Sequence, residues 1–448
     1  MLSCFILDEE SEKVKKKGHS DEAQTHEAQV VDFDNESLVW SDYLATNFHP
    51  KSVQIVEQYY HKNEYQPFDV YMCGKEVLQT YEAFCDWEDR IHHFAEECDN
   101  LQGFHVLMDT HDGFGGLSDM ILKYLEEEFP RKGILTFGFT PADAPDSTPL
   151  ARSTRIINSA LSYDSASSCS SLFIPTSTRR GLWSGLGQAV EFDGLVYNNR
   201  AYQTSSILAS ALDTLSLQYR QDGDRSDIRE LTHGLNIQGR KIASLSTSLP
   251  LRLHENGNLT DFFSQYTQCK PGLPWQSLTP HVGNDKIPLM QAVVLRGIAE
   301  SRVKSDIDPR KLPHHFLGVK TRHELLQNFL AEKYPGSGFM VNCMDTAMKT
   351  AAPFPQIFNE TVNKNGLMRS GSDLEKTRVD SVPVITSVQC TPEIQTLVDK
   401  LYTTAVKMNI KKHHRYIAGG LEEDEYSEVL ENLKTLAKTY KMNSEALE

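Results

Sequence analysis

The chain has 448 residues, 39% apolar and 24% charged, an ordinary globular composition with room for two or three domains. Its formal net charge of −16 excludes nucleic acid as a natural partner, because phosphate-backbone binding needs a basic face. No apolar run approaches the roughly 20 residues that span a bilayer, so no transmembrane helix is expected and any membrane contact is peripheral or through a partner.

The apolar start, Met1 to Leu7, is too short for a secretory signal, and the basic run Lys13 to Lys17 follows it rather than preceding it. Residues 1–37 are expected to form a disordered N-terminal segment, since 8–36 are charged, poor in aromatics and without period. Ordered sequence begins near Leu38-Val39-Trp40. Residues 38–250 then alternate helices and strands. A polar helix carrying Asp89-Arg90-Ile91-His92-His93 at its start ends near Leu101. A short strand, Phe104 to Met108, leads into the glycine-rich stretch Asp109 to Gly116, and a helix runs from Leu117 to Phe129. Gly133 to Phe139 reads as a buried strand ended by Thr140-Pro141. Asn158 to Tyr163 opens a helix, Ser171 to Ile174 is another strand, and Ser205 to Gln218 is a long apolar helix suited to a central position. The alternation predicts an α/β fold, a mostly parallel sheet covered by helices on both faces.

Residues 251–390 read as a second, α+β domain. Ala292 to Gly297 is a strand, and Val382-Pro383-Val384-Ile385 is the last one, placed at an edge by its proline. Residues 391–448 close the chain with two helices, Glu393 to Met408 and Glu423 to Tyr440, each with an apolar stripe.

The eight cysteines, Cys4, Cys73, Cys85, Cys98, Cys169, Cys269, Cys343 and Cys390, include no CxxC pair, which argues for reduced cytosolic thiols over zinc or a disulfide framework. HExxH, GxSxG and GxxxxGK[ST] are absent, removing support for zinc-protease, α/β-hydrolase and P-loop chemistry. His92-His93, His314-His315 and His413-His414 are adjacent pairs. Neighbours on a helix point to different faces, so each is a poor chelate, and no metal site is expected. Lys407 to Arg415 is basic in an acidic chain. It reads as a solvated helix end, with an anionic membrane or acidic partner as the alternative.

The most informative stretch is Asp109-Thr110-His111-Asp112-Gly113-Phe114-Gly115-Gly116. Strand, glycine turn, helix is the geometry that offers backbone N–H groups to a phosphate. Gly113, Gly115 and Gly116 are the candidate cofactor-binding residues. Asp109 and Asp112 oppose that reading: one like-charge pair at roughly 4 Å costs about 4 kcal/mol at an effective dielectric of about 20. Mg²⁺ could reverse the sign by bridging carboxylate and phosphate. The alternative, a tight strand-to-helix turn with no ligand, is the favoured reading.

Several segments resemble tubulins. Asp89 to Phe104 (DRIHHFAEECDNLQGF) is similar to the tubulin segment before the phosphate loop, and His111 to Leu117 stands where tubulins carry GGGTGSG. Only Gly113 and Gly115 remain glycine in that register. Ile157 to Ser162 resembles YNATLS, Ser205 to Arg220 falls at the tubulin core helix, and Asp227 to Leu231 resembles the DLRKL segment beyond it. Gly420 to Glu428 resembles GMDEMEFTE. The collinear match covers roughly 85–441. The loop, the LDTL core helix and Trp40-Ser41-Asp42-Tyr43 resemble the Misato family of divergent tubulin-like proteins. Nothing before Leu38 resembles the first tubulin strand or its GQCGNQ-type helix. A chain lacking that strand would be less stable, with two unpaired strand edges.

The Misato resemblance implies a tubulin-like fold and a cytoplasmic protein acting peripherally at the mitochondrial outer membrane. It implies a role in mitochondrial distribution, morphology and fusion through protein partners of the mitochondrial surface or cytoskeleton. The tubulin resemblance places Glu230 near the acidic residue that activates water on a neighbour's nucleotide, making it the one catalytic candidate. A first-turn acid favourable to the helix dipole is the plainer account. The expected protein is a non-enzymatic scaffold without cofactor. The alternatives are a GTP-binding, self-assembling tubulin relative and an assembly or chaperone cofactor for the cytoskeleton.

Overall fold

The computed structural model describes residues 48–441 apart from 60–64, 142–147, 184–186, 222–226, 269–271, 305–309, 311, 352 and 371–376. The expectations for residues 1–37 and for a missing first strand lie outside the described residues. After a 3-10 turn at Pro50–Ser52, the short helix α1 (Tyr71–Val77) and the longer α2 (Tyr81–Glu97) open the described fold. An α/β unit follows: β1 (Gly103–Asp109), α3 (Gly113–Glu128), β2 (Gly133–Phe139), α4 (Pro149–Cys169) and β3 (Leu172–Thr176). The strands form a parallel sheet in the order β1-β2-β3, with Gly103 opposite Gly133 and Leu135 opposite Leu172. Six of the seven residues of β2 are buried, as a central strand covered on both faces requires.

Next come α5 (Ala201–Arg220), α6 (Ile228–Leu235), β4 (Ser244–Ser248), α7 (Leu259–Gln268), β5 (Gln276–Ser277) and β6 (Met290–Arg296). They are followed by α8 (Arg322–Lys333), β7 (Gly338–Met344), β8 (Met348–Lys349), β9 (Ser381–Val382) and β10 (Val384–Cys390). A second, mixed sheet has the order β5-β4-β10-β6-β7, with only β6 and β7 parallel. The two sheets are joined through the backbone of Phe173, whose N–H donates to Lys241 and whose carbonyl accepts from Ala243. The central position foreseen for Ser205–Gln218 is occupied by α5, whose Ile207, Ala211 and Leu215 pack in the core shared by both sheets. Helices α9 (Ile394–Ala405), α10 (His414–Ala418) and α11 (Glu423–Thr439) close the fold, and α9 and α11 join the core beneath α3 and α4.

Several boundaries differ from the sequence reading, each for a local reason. Asp89-Arg90-Ile91-His92-His93 lies in the second half of α2, because Thr80 caps the helix by accepting from Ala83 N–H at 3.4 Å. Asn158 sits within α4, which starts at Pro149 behind its Thr148 cap. Pro383 is no edge marker. It separates β9 from β10, and β10 lies inside the sheet between β4 and β6. Missing its N–H, the proline sits just before pairing begins at Val384. Most consequentially, α3 begins at Gly113 rather than Leu117, so Gly113, Gly115 and Gly116 belong to the helix and not to a loop.

Candidate functional site

The end of β1 runs through Thr110 and His111 to Asp112, which caps α3: its Oδ1 accepts from Phe114 N–H at 2.9 Å. The first helical N–H groups are taken by the chain itself. Gly113 N–H donates to the carbonyl of Phe68 at 3.2 Å, and Gly115 N–H to the carbonyl of Asp112 at 3.2 Å.

The glycines admit another helix. A Cβ on Gly116 would stand 1.9 Å from the carbonyl oxygen of Tyr71. One on Gly74 would stand 1.7 Å from the carbonyl oxygen of Gly113. One on Gly113 would meet the Phe68 ring at 2.6 Å, and one on Gly115 would meet Ser162 Oγ at 2.3 Å. Helices α1 and α3 therefore cross with their backbones in contact, which only residues without a Cβ permit. Phe68 and Phe114 stack edge to face at 5.0 Å, and Tyr59 lies 5.3 Å from Phe114, so aromatic rings cover the helix start.

Asn158 holds the crossing from below. Its Oδ1 accepts from Tyr71 N–H at 2.9 Å and from Tyr416 Oη at 2.5 Å. Its Nδ2 donates to the carbonyls of Asp69 at 2.7 Å and His111 at 2.8 Å. Arg415 adds an ion pair to Asp69 at 2.5 Å and a hydrogen bond to Pro67 O at 2.8 Å. Deeper, Asp119 is buried between Lys75 at 3.5 Å and Lys123 at 3.0 Å and accepts from Ser165 Oγ at 2.5 Å, tying α1, α3 and α4 together. Burial of Asp112 raises its pKa to about 6, against the lowering effect of His111 and with the help of Asp109.

At this turn the N–H groups of Gly113, Phe114 and Gly115 are bonded within the chain, Phe68 and Tyr71 lie against the glycines, and the helix cap is a carboxylate. Helices α1 and α3 meet there.

Glu230 is far from it. Asp227 caps α6 by accepting from Glu230 N–H at 2.7 Å, and α6 starts against Gly133, the first residue of β2. Gly113 lies beyond the far end of the parallel strand β1, so at least a strand length, roughly 20 Å, separates the two candidates. Glu230 is exposed in the first helical turn. The histidine pairs stay apart: His92 bonds Tyr124 Oη at 2.8 Å, His93 stacks on His49 at 5.6 Å, and His413 packs on Tyr416. Among the described residues no three His, Cys, Asp or Glu side chains are placed to share a metal ion. Of the basic segment, Lys411 pairs with Glu423 at 2.9 Å and Arg415 with Asp69. No helix among the described residues is long and apolar enough to cross a membrane.

Sequence reasoning missed Phe68, Tyr71, Gly74, Asn158, Arg415 and Tyr416. The one signal available was Asn158, an amide set among Ile156, Ile157, Ala160 and Leu161.

Comparisons with known proteins agree on the kinship of this fold. A tubulin-domain family profile matches residues 33–221. Protein misato homolog 1 of Danio rerio is 31% identical over 417 residues, covering 90% of this chain and 69% of the relative. Protein misato of Drosophila melanogaster is 30% identical over 423 residues, covering 90% and 71%. The human protein misato homolog 1 is 28% identical over 404 residues, covering 90% and 70%.

Proposed function

The chain belongs to the Misato family of tubulin-like proteins, and we propose that it acts as a non-enzymatic scaffold regulating mitochondrial distribution, morphology and fusion through protein partners. The mitochondrial part of this reading rests on the family resemblance. The non-enzymatic part is supported by one observation above all: Gly113 N–H, the first helical donor of α3, is bonded to Phe68 O, with α1 seated on the glycines. A protein that has turned its phosphate turn into a helix joint keeps the tubulin shape as a surface for others. Under this reading Gly113, Gly115 and Gly116 are packing residues, Glu230 has no catalytic role and no cofactor is needed. The partners are proteins of the mitochondrial surface or cytoskeleton, met from the cytoplasm with peripheral attachment to the outer membrane. The absence of a membrane-crossing helix among the described residues is compatible with that attachment.

Two measurements test the reading. Calorimetric titration of the folded full chain with GTP and GDP, with and without Mg²⁺, is expected to give no heat of binding. Micromolar binding would revive the GTP-binding, self-assembling alternative. Depletion of the protein in its own cells is expected to fragment or cluster mitochondria, with rescue by the wild-type chain and by a Glu230→Gln variant. An unchanged network would remove the mitochondrial role. Pull-down of tubulin and a cytosolic chaperonin with an unchanged network would favour the assembly-cofactor reading instead.

A further inference from the structure

The second sheet ends in two unlike edges. β5 is a two-residue strand, too short to template anything. β7, at the other end, is seven residues long, Gly338-Phe339-Met340-Val341-Asn342-Cys343-Met344, with no charge, no proline and full parallel pairing to β6 on its inner side. β6 and β10 inside the sheet are almost wholly buried, whereas every residue of β7 except Val341 is only partly buried. Among the described residues, the backbone bonds of β7 run to β6 and its flanks, to the Arg322 guanidinium at Met344 O and to the adjacent Ser337 hydroxyl at Gly338 O. Natural edges are protected by lysines, prolines, bulges or brevity, and β7 has none of the first two or the last.

We infer that β7 pairs antiparallel with β7 of a second copy of this chain, joining two five-stranded sheets into one across a two-fold axis at Val341. The partner is argued from sequence symmetry and charge. Centred on Val341, the pairing sets Phe339 opposite Cys343 and Met340 opposite Asn342 of the second copy, and Val341 opposite itself. All seven positions meet uncharged side chains. Asp345, the first charge beyond the strand, is held at 2.7 Å by Arg322 and would face Ser337, so no like charges oppose. The faces also continue. Phe339 and Cys343 lie on the side packed against α7 and α8, whereas Met340 lies on the side of α6, where it reaches Gly234. A two-fold antiparallel pairing keeps each side in register with its own counterpart.

The experiment uses the full chain. Sedimentation velocity over a concentration series is expected to show a reversible monomer–dimer equilibrium for the wild type and monomer alone for Asn342→Lys, with equal thermal unfolding midpoints at the lowest concentrations, where the wild type is also monomeric. A disulfide test fixes the register and stands if Asn342→Lys fails to fold. In a Cys343→Ser background, Val341→Cys places two thiols at about 4.5–5.5 Å Cα separation, inside the range a disulfide bridges. Asn342→Cys faces Met340 instead, and mild oxidation is expected to link Val341→Cys at least about tenfold faster. A wild type monomeric at every concentration, a dimer that survives Asn342→Lys, or equal cross-linking of the two cysteine variants would overturn the inference.

Discussion

Tyr416 on α10 donates a 2.5 Å hydrogen bond to the side-chain carbonyl of Asn158 on α4, across 258 residues of sequence. The same amide holds Tyr71, Asp69 and His111, so one side chain joins the C-terminal helices, the α1–α3 crossing and the end of β1. The packing at this turn therefore draws on α10 as well as on the turn's own glycines.

Asn158→Ala strips partners from one buried N–H and two carbonyls, each worth about 1–3 kcal/mol, and is expected to cost roughly 3–4 kcal/mol in urea unfolding. Tyr416→Phe is expected to cost about 1 kcal/mol, and the double variant less than the sum of the two, since they share a bond. A cost below about 1 kcal/mol for Asn158→Ala would mean that the amide is not the clamp.

Much of this architecture was legible in the sequence. The run Gly133 to Phe139 is strand β2 to the residue, because a buried parallel strand is a continuous apolar run between breakers. The apolar period around Ser205–Gln218 marks α5 for the same physical reason. The meaning of the glycines was not legible. Gly113, Gly115 and Gly116 spell a phosphate turn locally, and what they contact, Phe68, Tyr71 and Ser162, lies some 40 residues away on either side. Pro383 misled likewise: proline marks where a strand cannot pair but not that it stops one residue short of a central strand.

Gly116→Ala distinguishes packing from conformation. The new methyl would lie 1.9 Å from Tyr71 O, a backbone atom of the residue whose N–H Asn158 holds, so α1 must lift. The expected loss is roughly 3 kcal/mol or more. Gly234→Ala is the control: within α6 it meets only the flexible end of Met340 at 3.1 Å, and its helix propensity improves by about 0.8–1.0 kcal/mol. Equal melting shifts for the two variants would contradict the crossing.

His105 sets an acid limb of stability. Burial, reinforced by the nearby Arg220, lowers its pKa to about 4, and its Nε2 is shielded without a hydrogen-bond partner. The ring stays neutral in the fold while the unfolded chain protonates near 6.5. The unfolded state thus gains protons first as pH falls, and stability declines between pH 6.5 and 4 by roughly 2 kcal/mol, with no contribution above 6.5. His105→Gln is expected to flatten that part of the unfolding midpoint against pH. An unchanged slope would assign the acid limb to other groups.

Asp112 works with the opposite sign. Burial raises its folded pKa to about 6, above the ordinary 3.8, so the fold prefers the neutral acid and loses stability as pH rises through that window. Asp112→Asn keeps an oxygen for Phe114 N–H and removes the charge. With a quarter of the side chain exposed, the gain at pH 7 is expected to be about 1–2 kcal/mol, vanishing below about pH 4. Calorimetric melts across that range check it, and a destabilised Asn variant at pH 7 would reverse the reading.

Asp112→Gly separates two explanations for the proposed loss of phosphate binding, charge repulsion by the carboxylate and the packing of α1 on the glycines. Were repulsion the block, removing the carboxylate would raise affinity for GTP, since one like-charge pair at roughly 4 Å costs about 4 kcal/mol at an effective dielectric of about 20. The structure predicts no gain. Gly113 N–H remains bonded to Phe68 O, the carbonyl of Tyr71 still lies over Gly116, and losing the Asp112 cap weakens the first turn of α3 by about 1 kcal/mol. Titration of Asp112→Gly with Mg²⁺-GTP is expected to match the wild type. Should binding appear, the carboxylate was the barrier, and α1 would have to be a cover that phosphate can displace.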